Sequence, residues 1–264
     1  MVELQVTINK ELENRINELE TLQKANQLDQ TTVSELMQYY HETNQTAKLF
    51  KIMERHIGEF GKESTEEQVG MFLKIMIQSI AKVKNFDVYL PSIAQIMEIA
   101  LQKQWQEVVS LIFIIKGYSR LVKNELQLAL QEAKLAYFYV QKIKIGEEQF
   151  ARCNAQLLIA FVLIHKNDLD GVHDFIQSVK WTKEACKSDE ELVFVKCISI
   201  MMDLLKRDET VVNRYVAMYD VLKKSENSYS VLLMEQMQKI IEKFKQHIHP
   251  SDYVKIMECY HSNK

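Results

Sequence analysis

A chain of 264 residues with only 6 glycines and 2 prolines has little to build turns from. Glycine supplies backbone angles that other residues resist, and proline supplies a fixed φ, so folds with many reversals use both freely. Their scarcity leaves long helices joined by short connections, and the expected class is all-α. Hydrophobic residues make up 47% and charged residues 26%, a balance that suits a packed core rather than disorder.

The first 62 residues read as an N-terminal unit. Leu4, Ile8, Leu12, Ile16, Leu19 and Leu22 recur every three or four positions, an amphipathic helix over 3–25 that either docks on the body or seeds a coiled coil. After a polar break at Gln27–Thr31, two short helices are expected over 32–42 and 45–59. Gly58 and Gly61 end the second. Ser64-Thr65-Glu66-Glu67 then reads as a helix cap, with Ser64 accepting from a backbone N–H and Glu67 reaching back. The boundary between 1–62 and 63–264 is placed there.

Beyond it the pattern repeats. Lys84-Asn85, Lys123-Asn124 and Lys166-Asn167 each close a helical segment, and Lys206-Arg207 stands where a fourth falls, at spacings of 39, 43 and 40 residues. Two helices in a period near 40 are the mark of a helical repeat, in which each hairpin buries its apolar faces on its neighbours. In the segment Ser110–Ile143, Gly117, Ala129 and Ala136 are spaced 12 and 7 apart around the turn at Lys123-Asn124-Glu125. Those small residues sit where a tetratricopeptide hairpin needs them to let its helices approach, and the segment resembles that family. The next unit keeps Ala160 but has Val172 and Val179, and a looser one has Ile200, Val212 and Tyr219. Pro91 and Pro250 are each expected in the first turn of a helix. The resemblance implies a right-handed stack of divergent hairpins, an α-solenoid, over 63–264.

Few residues suggest chemistry. Cys153, Cys186, Cys197 and Cys259 form no CxxC pair and read as small buried hydrophobes. His247, His249, Cys259 and His261 are of zinc-binding types, but two histidines two apart on a helix need not share a face, and no second cluster completes a site. No metal or cofactor is expected. His165 and His173 flank one turn and read as helix-end residues. The glycines are scattered singly, which excludes a phosphate loop, and Glu147-Glu148 and Asp189-Glu190-Glu191 fall at helix starts, where carboxylates oppose the dipole. Most of the 12 methionines, Met71, Met76 and Met201-Met202 among them, read as core. The expectation is a non-enzyme.

A net charge of −3 offers no general attraction for nucleic acid or anionic membrane. The longest apolar runs, Leu111–Ile115 and Leu157–Ile164, are too short to span a bilayer, and the opening MVELQVTINKELENRINELE has no leader pattern, so a cytoplasmic location is expected.

Stacks of this kind resemble the peptide-sensing domains of Gram-positive quorum-sensing regulators, in which an N-terminal effector element precedes a tetratricopeptide-like body. That resemblance implies a regulatory protein whose concave groove binds a peptide or a protein segment. Arg152, Asn154 and Gln156 on one inner helix, with Lys196, Ser199 and Asp203 on the next, are the candidate peptide-binding residues. Two alternatives stand beside it. Residues 31–55 have the form of a DNA-binding helix-turn-helix, with Asn44, Gln45 and Lys48 facing the duplex. A structural protein that forms a homodimer through residues 3–25 is the other.

Overall fold

The computed structural model of the chain describes residues 14–25, 27–43, 45–61, 63–79, 86–143, 149–178, 203, 211–224 and 228–261. Among the described residues there are twelve α-helices and no strand. They are α1 (14–24), α2 (Gln30–Glu42), α3 (Thr46–His56), α4 (Glu66–Ser79), α5 (Leu90–Lys103) and α6 (Gln106–Val122). They continue with α7 (Leu126–Val140), α8 (Gln149–His165), α9 (Leu169–Ser178), α10 (Val211–Lys224), α11 (Ser228–Lys243) and α12 (Pro250–His261).

Three turns share one local structure. Gln104, Asn124 and Asn167 have φ of 60°, 60° and 62°. At each, the N–H of the following residue reaches back five positions: Trp105 to Ala100 (2.9 Å), Glu125 to Arg120 (2.9 Å) and Asp168 to Leu163 (3.0 Å). This is the Schellman closure, in which a left-handed residue lets the chain recapture the last free carbonyls of a helix. Asparagine tolerates that conformation better than other side chains, which accounts for the recurring Asn. The lysine before each Asn has its own task. Lys123 Nζ reaches Asp87, just ahead of α5, and Lys166 Nζ reaches Gln127 in the first turn of α7 at 2.8 Å. Each Lys-Asn turn therefore closes its own hairpin and clips it to the start of the preceding hairpin's second helix. Lys84-Asn85 and Lys206-Arg207 lie outside the described residues.

The helices pack in chain order. α2 contacts α3 and α4; α4 contacts α6; α6 contacts α5, α7 and α8; α8 contacts α7 and α9. The closest approach depends on Gly117. A Cβ there would collide with Leu158 Cδ2 on α8 and meet the Ala129 carbonyl and Glu132 Cβ on α7 at 3.5 Å. Ala129, Ala133 and Ala136 on the facing side of α7 are fully buried, as is Ala160 on α8. Ser110, also buried, donates its hydroxyl to the Ala136 carbonyl across the same seam at 3.0 Å.

The apolar core runs as one cluster from Ile16 to Ile256 and passes position 62 without a break. Ile16 and Leu19 of α1 are spent on this core, and Arg15 ties α1 to Glu35 of α2 at 2.9 Å. Leu4, Ile8 and Leu12 lie outside the described residues.

Some local expectations shift. The cap before α4 is one residue later than its sequence suggests. Thr65 and Gln68 exchange side-chain and backbone hydrogen bonds (3.0 and 3.2 Å), while Ser64 Oγ accepts from Gly61 N–H. The second N-terminal helix ends at His56, and Ile57–Glu59 finish it as a 3-10 turn. Pro91 and Pro250 do sit in the first turns of α5 and α12. Met76 is buried and Met71 exposed, whereas Met201-Met202, Val179 and Ile200 lie outside the described residues.

Gly117→Leu should cost about 2 kcal/mol or more, because overpacking a tight seam exceeds the roughly 1 kcal/mol gained in helix propensity. Urea unfolding monitored by circular dichroism gives the value, and an unchanged midpoint would mean that α6 and α8 do not meet at this residue.

Candidate functional site

Helix α8 is the reference point. Leu157 to Ile164 are all buried, as are Ala151, Asn154, Ala155 and Gln156, so the helix is covered on nearly every side. An α-helix apolar around its whole circumference needs neighbours around its whole circumference. α6, α7 and α9 provide three of them through the succession of hairpins. A fourth comes from far along the chain, because α11 packs against both α8 and α4.

The sequence of α11 suits that seat. Leu233, Met237, Ile240 and Ile241 are each no more than 2% exposed, and Phe244 follows at 6%. Spacings of four, three, one and three place them on one stripe, while Glu235, Lys239, Glu242 and Lys243 face water. Two polar contacts fix the register against the end of α8. His165 Nε2 lies 3.2 Å from Gln236 Oε1, and Lys243 Nζ donates to the His165 carbonyl. That carbonyl is among the last of α8, where a cation also meets the negative end of the helix dipole. Behind α11, α10 and α12 pack together, with Tyr215 and Tyr260 joined through their hydroxyls and Tyr219 edge-on to Tyr260 at 4.6 Å.

The residues expected to bind a peptide are placed as follows. Arg152 is half-buried, and Asn154 and Gln156 are 0% and 5% exposed. Asn154 Nδ2 donates to the Phe150 carbonyl one turn earlier, at 2.9 Å. These two amides are therefore inside the packing of α8 and away from solvent. Asp203 pairs with Arg214 of α10 at 3.1 Å. Lys196 and Ser199 lie outside the described residues. The latch of His165, Gln236 and Lys243 was missed. The apolar stripe of α11 is legible locally, but its destination is not.

Of the DNA-facing candidates, Gln45 is half-buried and bonds Thr43 Oγ1 at 3.0 Å, and Lys48 pairs with Glu20 of α1 at 2.7 Å. Asn44 lies outside the described residues. His249 bonds Ser251 at 2.8 Å, and among the described residues no group of histidine, cysteine and carboxylate side chains could hold a metal ion. Cys153 and Cys259 are half-buried thiols rather than fully buried ones; Cys186, Cys197, Glu147-Glu148 and Asp189-Glu190-Glu191 lie outside the described residues. No described helix is long and apolar enough to cross a membrane. A second concavity, of about 520 Å³, opens between α7, α8 and α9 and is lined by Tyr137, Phe138, Ile159, Leu163 and Phe175.

The chain matches no protein-family model, no curated protein and no solved structure.

Burial lowers the pKa of His165 from its ordinary 6.5; the Gln236 bond opposes that shift, and nearby Lys243 and Lys239 add to it. The folded state thus holds the ring neutral while the unfolded chain takes up a proton. Stability from this site is complete above pH 6.5 and is lost as pH falls from there through the lower folded value. His165→Asn should flatten the difference in melting temperature between pH 7.5 and pH 5.5 relative to the unsubstituted chain, in a thermal scan at about those values. Parallel pH profiles would remove the ring from the latch.

Proposed function

We propose that the chain is a non-enzymatic binding protein: a right-handed stack of tetratricopeptide-like hairpins whose inner surface takes an amphipathic helix from a peptide or protein partner. The observation that carries this reading is the seat of α11 across α4 and α8. A surface that packs Leu233, Met237, Ile240 and Ile241 is complementary to an apolar helix stripe, whoever supplies it. The stack itself is supported by the succession of α2, α4, α6 and α8, each against the next, by the repeated Schellman turns and by the small residues around Gly117.

In this reading α11 is the resident occupant and a partner helix displaces it. A tethered segment competes at an effective concentration on the order of millimolar, so a partner must bind well to win. Displacement would be felt at the N-terminal helices, because α4 packs directly on α2. The groove is thereby a surface whose occupancy is regulated. Asn154 and Gln156 act within it by shaping α8, while the exposed ends of the seat recognise the partner.

A fluorescein-labelled peptide of residues 228–244 tests the proposal by anisotropy. The full chain carrying Met237→Glu and Ile240→Glu should bind it saturably, and the unsubstituted chain roughly tenfold more weakly or less, since its own helix fills the seat. Gln236→Glu with Lys243→Ala loosens the latch without burying new charge in the stripe, and should give an intermediate affinity. Absence of binding by both folded variants would contradict a helix-binding surface.

A further inference from the structure

The cleft of about 520 Å³ between α7, α8 and α9 takes one face from each helix. On α7, Lys134, Tyr137, Phe138 and Gln141 recur every three or four positions and share a face, and Gly171, Phe175 and Ser178 do the same on α9. Ile159 and Leu163, one turn apart on α8 and buried, form the floor. We propose that this cleft binds a free amino acid with a large aromatic side chain, at a site distinct from the seat of α11.

The walls are aromatic. The rings of Tyr137 and Phe175 lie 6.0 Å apart at 76°, so together they offer a flat ligand ring a face and an edge at one corner. Phe138 stands beside them 51% exposed, a large ring left in water at the mouth of the cleft. Small-molecule sites are typically concavities of roughly 300–1,000 Å³ with apolar linings and a few polar groups placed together, and this one has both properties.

The polar groups identify the ligand. Lys166 Nζ meets Gln127 in the first turn of α7 at 2.8 Å, which sets the turn from α8 into α9 beside the start of α7. From that end α7 and α9 run the same way, with Lys134 preceding Phe138 and Asp168 preceding Phe175. One cation and one anion therefore stand at the same end of the cleft, and the rings lie beyond them. Among the described residues Lys134 makes no ion pair. Asp168 spends Oδ1 on the Gly171 N–H at 3.0 Å, a fold-back that a Cβ at position 171 would obstruct, and its Oδ2 is left for a ligand.

An ammonium and a carboxylate on one carbon answer both side chains at once. A peptide of several residues carries its two terminal charges at opposite ends. A simple amine or acid meets one charge and is opposed by the other. A quaternary ammonium is opposed again, since Lys142 Nζ already lies 4.1 Å from the Phe138 ring centre.

Isothermal titration calorimetry of the full chain with L-tryptophan should show one saturable site. Tryptamine and indole-3-propionate should each bind roughly tenfold more weakly or less, because each leaves one charge of the site unanswered. Asp168→Asn retains the oxygen that caps α9 and should lower the tryptophan affinity roughly tenfold, as should Lys134→Gln. Phe138→Ala should weaken all three compounds, and Lys51→Gln, on the exposed face of α3, should change none of them. The substituted side chains are exposed, and melting temperatures within a few degrees of the parent would exclude unfolding as the cause. The site would be overturned by the absence of saturable heat with tryptophan, by equal affinity for tryptamine or indole-3-propionate, or by binding indifferent to these substitutions in the cleft.

Discussion

The fold turns on a helix that is covered on nearly every side. Leu157 to Ile164 of α8 form a buried run that leaves no room for a polar face. Each large apolar side chain so covered contributes about 1.5–3 kcal/mol relative to exposure, and leaving one flank of α8 open would forfeit several of them. Successive hairpins cover the flanks they can reach. The remaining cover is drawn from α11, far along the chain, and that demand brings the C-terminal helices back onto α4. Gly117 sets how closely α6 can approach α8.

The same requirement links packing to the proposed function. A surface built to receive an apolar helix is occupied in the resting chain by one of the chain's own. The polar contacts that hold it, His165 to Gln236 and Lys243 to the His165 carbonyl, lie at one end of α8. Under the proposed function, partner binding requires the release of those few contacts rather than unfolding of the helices around α8.

Much of the helical framework could be read from residues. Scarce glycine and proline gave the class. The Lys-Asn repeat marked turns whose physics is local: a left-handed residue, a recaptured carbonyl and a lysine reaching back to the previous hairpin. Gly117 was legible through the resemblance of Ser110–Ile143 to a tetratricopeptide hairpin, which needs a small residue at that point. The cap before α4 was displaced by one residue, since Ser64-Thr65 offers two hydroxyls and sequence cannot rank them. The site was harder. Asn154 and Gln156 looked like groove residues because they are polar on an apolar helix, yet on a helix covered on nearly every side periodicity does not mark which polar positions meet solvent. The return of α11 joins segments far apart in sequence, and no local pattern carries that pairing.

The most direct measurement is a methyl nuclear Overhauser spectrum of the full chain labelled at Ile, Leu, Val and Met. Packing of α11 into its seat predicts cross-peaks linking methyl groups of α4 to those of α11, alongside peaks between α8 and α11. Cross-peaks confined to helices adjacent in sequence, with none from α11 to α4 or α8, would contradict the account.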